Sequence, residues 1–413
     1  MAVKPTLLWL RPNTVKKLRP RHKGIATVLA FLTIPLSGFI TDMYAPSMPA
    51  MALALEQSDA AVQFTLTLFL LSYALTQFFT GPLMDSFGRY RLTLIALMAF
   101  IASNITIALT LHIEVIYAMR VLQGMAIGCI GVSKRSFFVD VHEGEKRKHY
   151  LSLMSIVWSI APIIAPFIGG YLQHYFDWQA SFYVLAGYAS LLLLFELFFS
   201  GETVPEYRPF KWASILEDYG VMLRTPLFLY GVICVGLSYG TTMVFNLAGA
   251  FIIEHGMGYT PVVAGYASLF MGIAWLCGGF LGKLLIDRPF LPKLRIASYL
   301  ELVAIGLMII STYWWQNLYS LVFFAFLVHV GVGFIFNNYF AYCIGRFPKM
   351  AGISGGFIGG SAFFITSIFS YGVVGLIGPE TQQGLGFSYF GLCVLIFVIL
   401  QFLAKAEKNG LTH

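Results

Sequence analysis

Charge is what this chain has least of. Asp, Glu, Lys and Arg together make up 11% of 413 residues, where a soluble globular protein carries about 25%. A water-soluble fold of this length cannot cover its surface with so little charge, so much of its outside must face lipid. Cysteine is also sparse. The five (Cys129, Cys234, Cys277, Cys343, Cys393) lie inside apolar runs, with no CxxC pair and no His at metal-ligand spacing. That pattern excludes disulfide and zinc frameworks and leaves small packing residues in helices. No cofactor and no metal are expected. The net charge of +7 does not point to nucleic acid, because it is confined to particular loops.

What is present is apolar: 58% hydrophobic residues and a mean hydropathy of +0.78. A hydrocarbon core of about 30 Å needs about 20 apolar residues in a helix. Runs free of Asp, Glu, Lys and Arg cover 24–41, 60–84, 92–113, 149–176, 178–195, 225–253, 255–282, 302–345, 350–379 and 381–404. The longest is divided at Tyr313-Trp314-Trp315-Gln316-Asn317, an aromatic and polar break suited to headgroups. Its first part joins 294–301 in one helix that contains Glu301. A further helix near 114–133 is interrupted only by Arg120, and the first run extends past Asp42 to Pro46 and Pro49. The expected fold is all-α, with twelve transmembrane helices.

Lys and Arg fall in the tails and in alternate loops. The first tail holds Lys4, Arg11, Lys16, Lys17, Arg19, Arg21 and Lys23. Later groups are Arg89 and Arg91; Lys134, Arg135, Lys146, Arg147 and Lys148; Arg208, Lys211 and Arg224; Lys283, Arg288, Lys293 and Arg295; Arg346 and Lys349; Lys405 and Lys408. Arg120 alone sits within a helix. Positive-inside retention then predicts both termini in the cytoplasm. The first apolar run is too long for a signal peptide, and no small-residue cleavage site follows it. Retention accounts for the basic tail better than an organellar presequence does.

Organisation follows from the one long polar stretch inside the chain. The expected parts are a basic tail 1–23, a six-helix bundle 24–200, a cytoplasmic linker 201–224 with surface-helix character around 211–223, a second bundle 225–404 and a tail 405–413. With so little chain outside the bilayer, any activity must be carried out within or across it. Six plus six around a linker matches transporters built of two parallel halves, whose sites lie near the midplane between them.

Particular motifs sharpen this. The turn after span two reads Gly81-Pro82-Leu83-Met84-Asp85-Ser86-Phe87-Gly88-Arg89-Tyr90-Arg91, which resembles the G-x-L-x-D-x-x-G-R-x-R signature of the major facilitator superfamily. Gly88 suits a tight turn, and Asp85 can accept hydrogen bonds at a neighbouring helix N-terminus. The resemblance implies that Gly81, Asp85, Gly88 and Arg89 form a gating loop that latches the halves. Arg120-Val121-Leu122-Gln123-Gly124, continuing to Gly128, resembles an R-x-x-Q-G-x-x-x-G motif of proton-coupled members. A guanidinium in hydrocarbon needs a partner, and Gln123 lies one turn away.

Thr41-Asp42-Met43-Tyr44-Ala45-Pro46-Ser47-Met48-Pro49 is similar to the signature of the bicyclomycin/chloramphenicol-resistance branch of the drug:proton antiporters. A carboxylate at a helix C-terminus is disfavoured by the dipole. If span one leaves the membrane near Pro46, Asp42 lies about 6 Å below that end, and Arg120 lies about 9 Å below the same face. An Asp42–Arg120 interaction that switches is therefore geometrically allowed, and Asp42, Arg120 and Gln123 are the expected proton-coupling residues. Pro162, Pro166, Gly169 and Gly170 resemble an antiporter-type helix element, G-P-x-x-G-G, with Ala165 in place of its first Gly. Trp178, Phe182 and Tyr183 follow in the W-x-x-x-F-Y pattern of the branch. In the second half, Gly278-Gly279 to Asp287-Arg288 resembles a worn copy of the gating loop. Gly352, Gly355, Gly356, Gly359 and Gly360 make a small-residue packing face.

Buried polar groups complete the candidates. Tyr73, Gln77, Asn246, His329, Asn337 and Asn338 are expected to line a substrate cavity, or else to bond helix to helix. His329 falls about 16 Å into its span, near the midplane, where it could carry a proton. Glu301, about 10 Å into a span usually at the periphery, is expected to snorkel or form a structural pair. The resemblance implies a multi-pass protein of the bacterial inner membrane, working as a monomer. It would export amphiphilic small molecules against inward proton flow by alternating access, as in multidrug efflux. The alternative is a dedicated metabolite or siderophore carrier of the same superfamily, working as an exporter or as an importer. A receptor would need an output domain. An intramembrane enzyme would need converging nucleophiles or metal ligands, which the sequence does not offer. The partners expected are protons, a small molecule and the lipid bilayer.

Overall fold

The structure is a computed structural model that describes residues 16–207, 212–347 and 351–408. Lys4, Arg11, Arg208, Lys211 and Lys349 lie outside the described residues, as do 1–15 of the first tail and 409–413 of the last. Among the described residues, eleven helices are long and apolar enough to cross a membrane. A further helix, α7, runs for 32 residues over Gly144–Tyr175.

The first span is not one helix. It comprises α1 (Lys23–Thr33), α2 (Leu36–Asp42), a 3-10 turn Ala45–Ser47 and α3 (Met48–Ala54). Proline dictates the divisions. Pro35 caps α2. The ring of Pro46 would collide with the carbonyl four residues back, which belongs to Asp42, and Pro46 has no N–H to donate. So α2 stops at Asp42. The chain does not leave the bundle at Pro46 as the sequence suggests; it continues to Ala54. Asp42 therefore lies twelve residues, about 18 Å, from that end rather than about 6 Å.

The rest of the first half is α4 (Asp59–Phe87), α5 (Arg89–Leu109), α6 (Ile113–Val141), α7 and α8 (Ala180–Phe199). A short α9 (Trp212–Leu223) precedes α10 (Pro226–Phe251), which a π turn Ile252–Gly256 prolongs. Then come α11 (Pro261–Leu284), α12 (Phe290–Ser311), α13 (Leu318–Arg346), α14 (Ala351–Ile377) and α15 (Gln382–Lys408). Proline opens α10 and α11, where its missing N–H costs nothing. The aromatic break expected after α12 is a turn, and Asn317 caps α13 reciprocally with Ser320. Helix α12 shows why the outside must be lipid: Leu300, Val303 and Leu307 point outward, while Glu301, Ala304, Ile305 and Met308 face in.

The halves meet along two seams, α4 with α14 and α7 with α11. Both are closed by small residues. A side chain at Gly360 would strike Ala74 O and Phe78, and one at Gly356 would strike Gln77 O, so the glycine face on α14 packs on α4. On the other seam, Gly265 and Gly272 of α11 lie against the backbone of Pro166 and Pro162.

One face of the bundle gathers the chain's first described residues. There Gly88, at φ +96°, divides α4 from α5, a conformation open to glycine and strained for other residues. Arg89 bonds Asp85 at 3.0 Å and pairs with Asp140 of α6. Asp85 does not cap a neighbouring helix. That role falls to Glu202, whose carboxylate accepts from the amides of Arg89 (3.1 Å) and Tyr90 (3.2 Å) at the start of α5. Nor is the tail loose at Lys16: its carbonyl accepts from the Glu202 N–H at 2.8 Å, and its Nζ donates to Leu197 and Phe198 carbonyls at the end of α8. Lys134 corrects the sequence reading again. It lies inside α6, not in a loop, and is buried against the equally buried Glu196 of α8. Arg135 is helical too. A charge at the end of an apolar run looks like a loop residue unless its partner, on another helix, is known.

Candidate functional site

The break after Asp42 is built from both halves. Asp42 is 1% exposed. Its Oδ1 accepts from Asn246 Nδ2 of α10 at 2.6 Å, and its Oδ2 is buried without a partner. Unwound backbone at this depth is tolerated only where protein covers it. Helix α7 does so: Gly169 lies directly on the Met43 carbonyl, and Gly38 of α2 lies against Ala161. A Cβ at Gly169 has no room.

Arg120 does not pair with Asp42 in this arrangement. The guanidinium, fully buried on α6, lies over the ring of Tyr44 at 3.8 Å and that of Phe182 at 5.0 Å. It donates to Gln123 Oε1 at 3.0 Å. Tyr44 in turn shares a hydrogen bond with Thr65 of α4 at 2.9 Å. Gly124 and Gly128, which close the same motif, let α6 run against Ser72 and Thr76 of α4. The motif therefore brings a flat cation onto an aromatic ring two residues beyond the acid, an arrangement worth about 2 kcal/mol when desolvated. Trp178 packs edge-on against Phe182 behind it.

Beside Asp42 lies a small cavity of about 30 Å³, lined by Asp42, Trp158, Pro162, Tyr239, Asn246 and Trp275, among others. That leaves room for about a water molecule or two beside the acid. Gln63 Nε2 donates to Leu247 O at 2.9 Å across the junction. Toward the far end, Tyr171 and Tyr266 hydroxyls meet at 3.2 Å, and Gly170 abuts Pro261. These contacts seal the face away from Lys16.

Of the six residues expected at a cavity, Asn246 lines this one, beside the coupling candidate Asp42 and Pro162 of the helix element. The others lie elsewhere. Tyr73 and Gln77 pack on α14, at Phe363 and Gly359. His329 is fully buried between Phe245 and Tyr389, its Nδ1 bonded to Ala325 O at 2.8 Å. Asn337 and Asn338 bond their own helix's carbonyls and lie against Gly279 and Gly282 of α11. Glu301 does not snorkel; it is buried and accepts from Cys393 Sγ at 2.9 Å. Sequence reasoning missed Tyr44, Trp158, Tyr239 and Trp275 as neighbours of the acid. Nothing marks them out among 22 Tyr and 7 Trp, except that Tyr44 lies inside the span-one signature.

Two helical halves closed over a buried acid, with helix breaks at their junction, define a membrane transporter. The chain belongs to the Major Facilitator Superfamily, whose family profile matches residues 30–379. It is 26% identical to the bicyclomycin resistance protein homolog of Haemophilus influenzae, over 90% of this chain and 94% of that one. It is 27% identical to multidrug resistance protein D of Escherichia coli, over 89% and 92%. These names agree with the branch that the span-one signature resembles. The crystal structure of a D-xylose-proton symporter shares the fold, with a TM-score of 0.67 at 14% identity, covering 91% of this chain and 96% of that one.

Proposed function

We propose that this transporter couples inward proton flow to the export of amphiphilic small molecules across the bacterial inner membrane. In this reading twelve spans place both termini in the cytoplasm, and two bundles, 24–200 and 225–404, rock about the junction. The observation that carries it is Asp42: a buried carboxylate at a helix break, with one oxygen bonded to the opposite half. Burying a carboxylate is costly, so one kept there is most simply functional. The relatives' names, a bicyclomycin resistance homolog and a multidrug resistance protein, support the drug-export direction.

Asp42 takes a proton from the outside and gives it up on the cytoplasmic side as substrate is captured. Arg120 and Gln123 act on it through Tyr44, holding the break in register. The turn at Gly81, Asp85, Gly88 and Arg89 gates the cytoplasmic face, while Pro162, Pro166 and Gly170 shape the α7–α11 seam and Gly169 seats α7 on the break after Asp42. Coupling needs only that the two arrangements differ in proton affinity; one pKa unit is worth about 1.36 kcal/mol. The test is flux in proteoliposomes under an imposed pH gradient, with labelled chloramphenicol, a lipophilic dye and a ferric siderophore as probes. Gradient-driven movement of the first two out of the cytoplasmic side is expected. Movement of the siderophore alone, or flux indifferent to the gradient, would overturn the proposal.

A further inference from the structure

We infer that Asn246 is a positioning residue that makes the proton affinity of Asp42 depend on whether the two halves touch. The inference rests on Asp42 being the coupling acid, and it adds the part that tells the acid which way the protein is open.

The geometry is specific. Asn246 and Leu247, consecutive on α10, are each bonded to a different helix of the first half. Asn246 Nδ2 donates to Asp42 Oδ1 at 2.6 Å, and Leu247 O accepts from Gln63 Nε2 at 2.9 Å. Asn246 also lies 3.8 Å from Met243 Sδ on its own helix, which leaves the carboxylate as its strong acceptor. Parting the halves on the face away from Lys16 must break both cross-half bonds at once. Asp42 then loses the one side-chain donor it has among the described residues.

The surroundings leave few other groups able to do this. Tyr239 of α10 lines the same cavity and is the titratable neighbour on that side. From α7 the cavity receives Trp158 and Pro162, and from α11 Ser268, Met271, Gly272 and Trp275, none of them titratable. On α6 the cation Arg120 is engaged with Tyr44, Phe182 and Gln123. On α8, Tyr188 donates to Leu32 O. A donor to a carboxylate favours its charged form. A donor present in one arrangement and absent in the other gives the two arrangements different proton affinities, which is the thermodynamic requirement for coupling. Asp42 Oδ2, buried and unpartnered, remains free to take the proton.

The experiment is an infrared titration of Asp42 in the full-length protein in nanodiscs. The protonated carboxyl band is assigned by its loss in Asp42→Asn. Hydrogen exchange of residues 257–260, the link between the π turn that prolongs α10 and the start of α11, is followed over the same pH series. In Asn246→Leu the Asp42 midpoint is expected to move to higher pH by about one unit or more, a tenfold change in proton affinity. The exchange should become fast at every pH. Asn246→Ser, which retains a donor, should shift the midpoint less than Asn246→Leu, and it carries the test if the Leu variant does not fold. A midpoint within about a third of a unit of wild type in both variants, with Asp42 still titrating, would overturn the role of Asn246. That outcome leaves the coupling acid intact. By contrast, gradient-driven flux that survives in Asp42→Asn removes the acid itself.

Discussion

Asp42 and Asn246, 204 positions apart, are joined by a 2.6 Å hydrogen bond that crosses from one half of the molecule to the other. The bond exists because two local features coincide. Pro46 ends α2 at the acid, and the α10 helix presents an amide at that depth. Neither feature alone makes a site; together they place an ionisable group where the halves must separate.

Arg120 should tolerate no substitute. Its guanidinium lies over the Tyr44 ring at 3.8 Å, and a lysine ammonium does not replace a planar guanidinium against an aromatic face. Arg120→Lys is expected to lose most transport in proteoliposomes. Tyr44→Phe, which keeps the ring and loses the hydroxyl's contacts with Thr65 and Arg120, should retain most of it. Tyr44→Ala should lower stability by about 3–5 kcal/mol in detergent unfolding. Equal loss in Tyr44→Phe and Tyr44→Ala would mean that the hydroxyl, not the ring, matters.

Close backbone approach at Gly169 can be tested by adding one atom. Gly169→Ala places a Cβ on the Met43 carbonyl, so α7 must move away from the break. Transport should be lost while the protein still reaches the membrane. Gly187→Ala, at a position with open space, is the matched control and should behave as wild type.

Lys134 and Glu196 form a buried pair between α6 and α8. Removing one charge strands the other, so Lys134→Met or Glu196→Leu should each cost about 3–5 kcal/mol. The double variant should recover much of that loss, because a buried pair is often replaceable by apolar residues. A double-mutant cycle in detergent measures the coupling. Additive losses would show that the two side chains act separately.

Glu202 caps α5 from the far side of α8. Glu202→Ala should cost about 0.5–2 kcal/mol, as the loss of a helix cap does. It should also raise amide exchange at Arg89 and Tyr90. Unchanged exchange there would assign the cap elsewhere.

Hydropathy and local signatures made the helices, the turn at Gly88 and the motif around Arg120 legible in the sequence, because each depends on neighbours along the chain. What escaped depends on neighbours in space. The lysine at 134 looked like a loop charge because Glu196 is on another helix. The first span looked shorter than it is because Pro46 and Pro49 read as an end, whereas the chain passes Pro46 in a 3-10 turn and resumes as α3, which takes Pro49 in its first turn. Asn246 stood among the substrate candidates and proved to bond the acid. His329 looked central by depth, yet its ring faces Phe245 and Tyr389 rather than the junction. Depth along a helix can be counted from sequence; the direction a side chain faces cannot.

The most direct measurement is proton-driven efflux by Asp42→Asn in proteoliposomes, set beside substrate exchange with no gradient. If Asp42 carries the proton, the variant should exchange substrate across the bilayer but no longer accumulate it when a pH gradient is imposed. Accumulation by Asp42→Asn at the wild-type level, rising and falling with the gradient, would contradict the account.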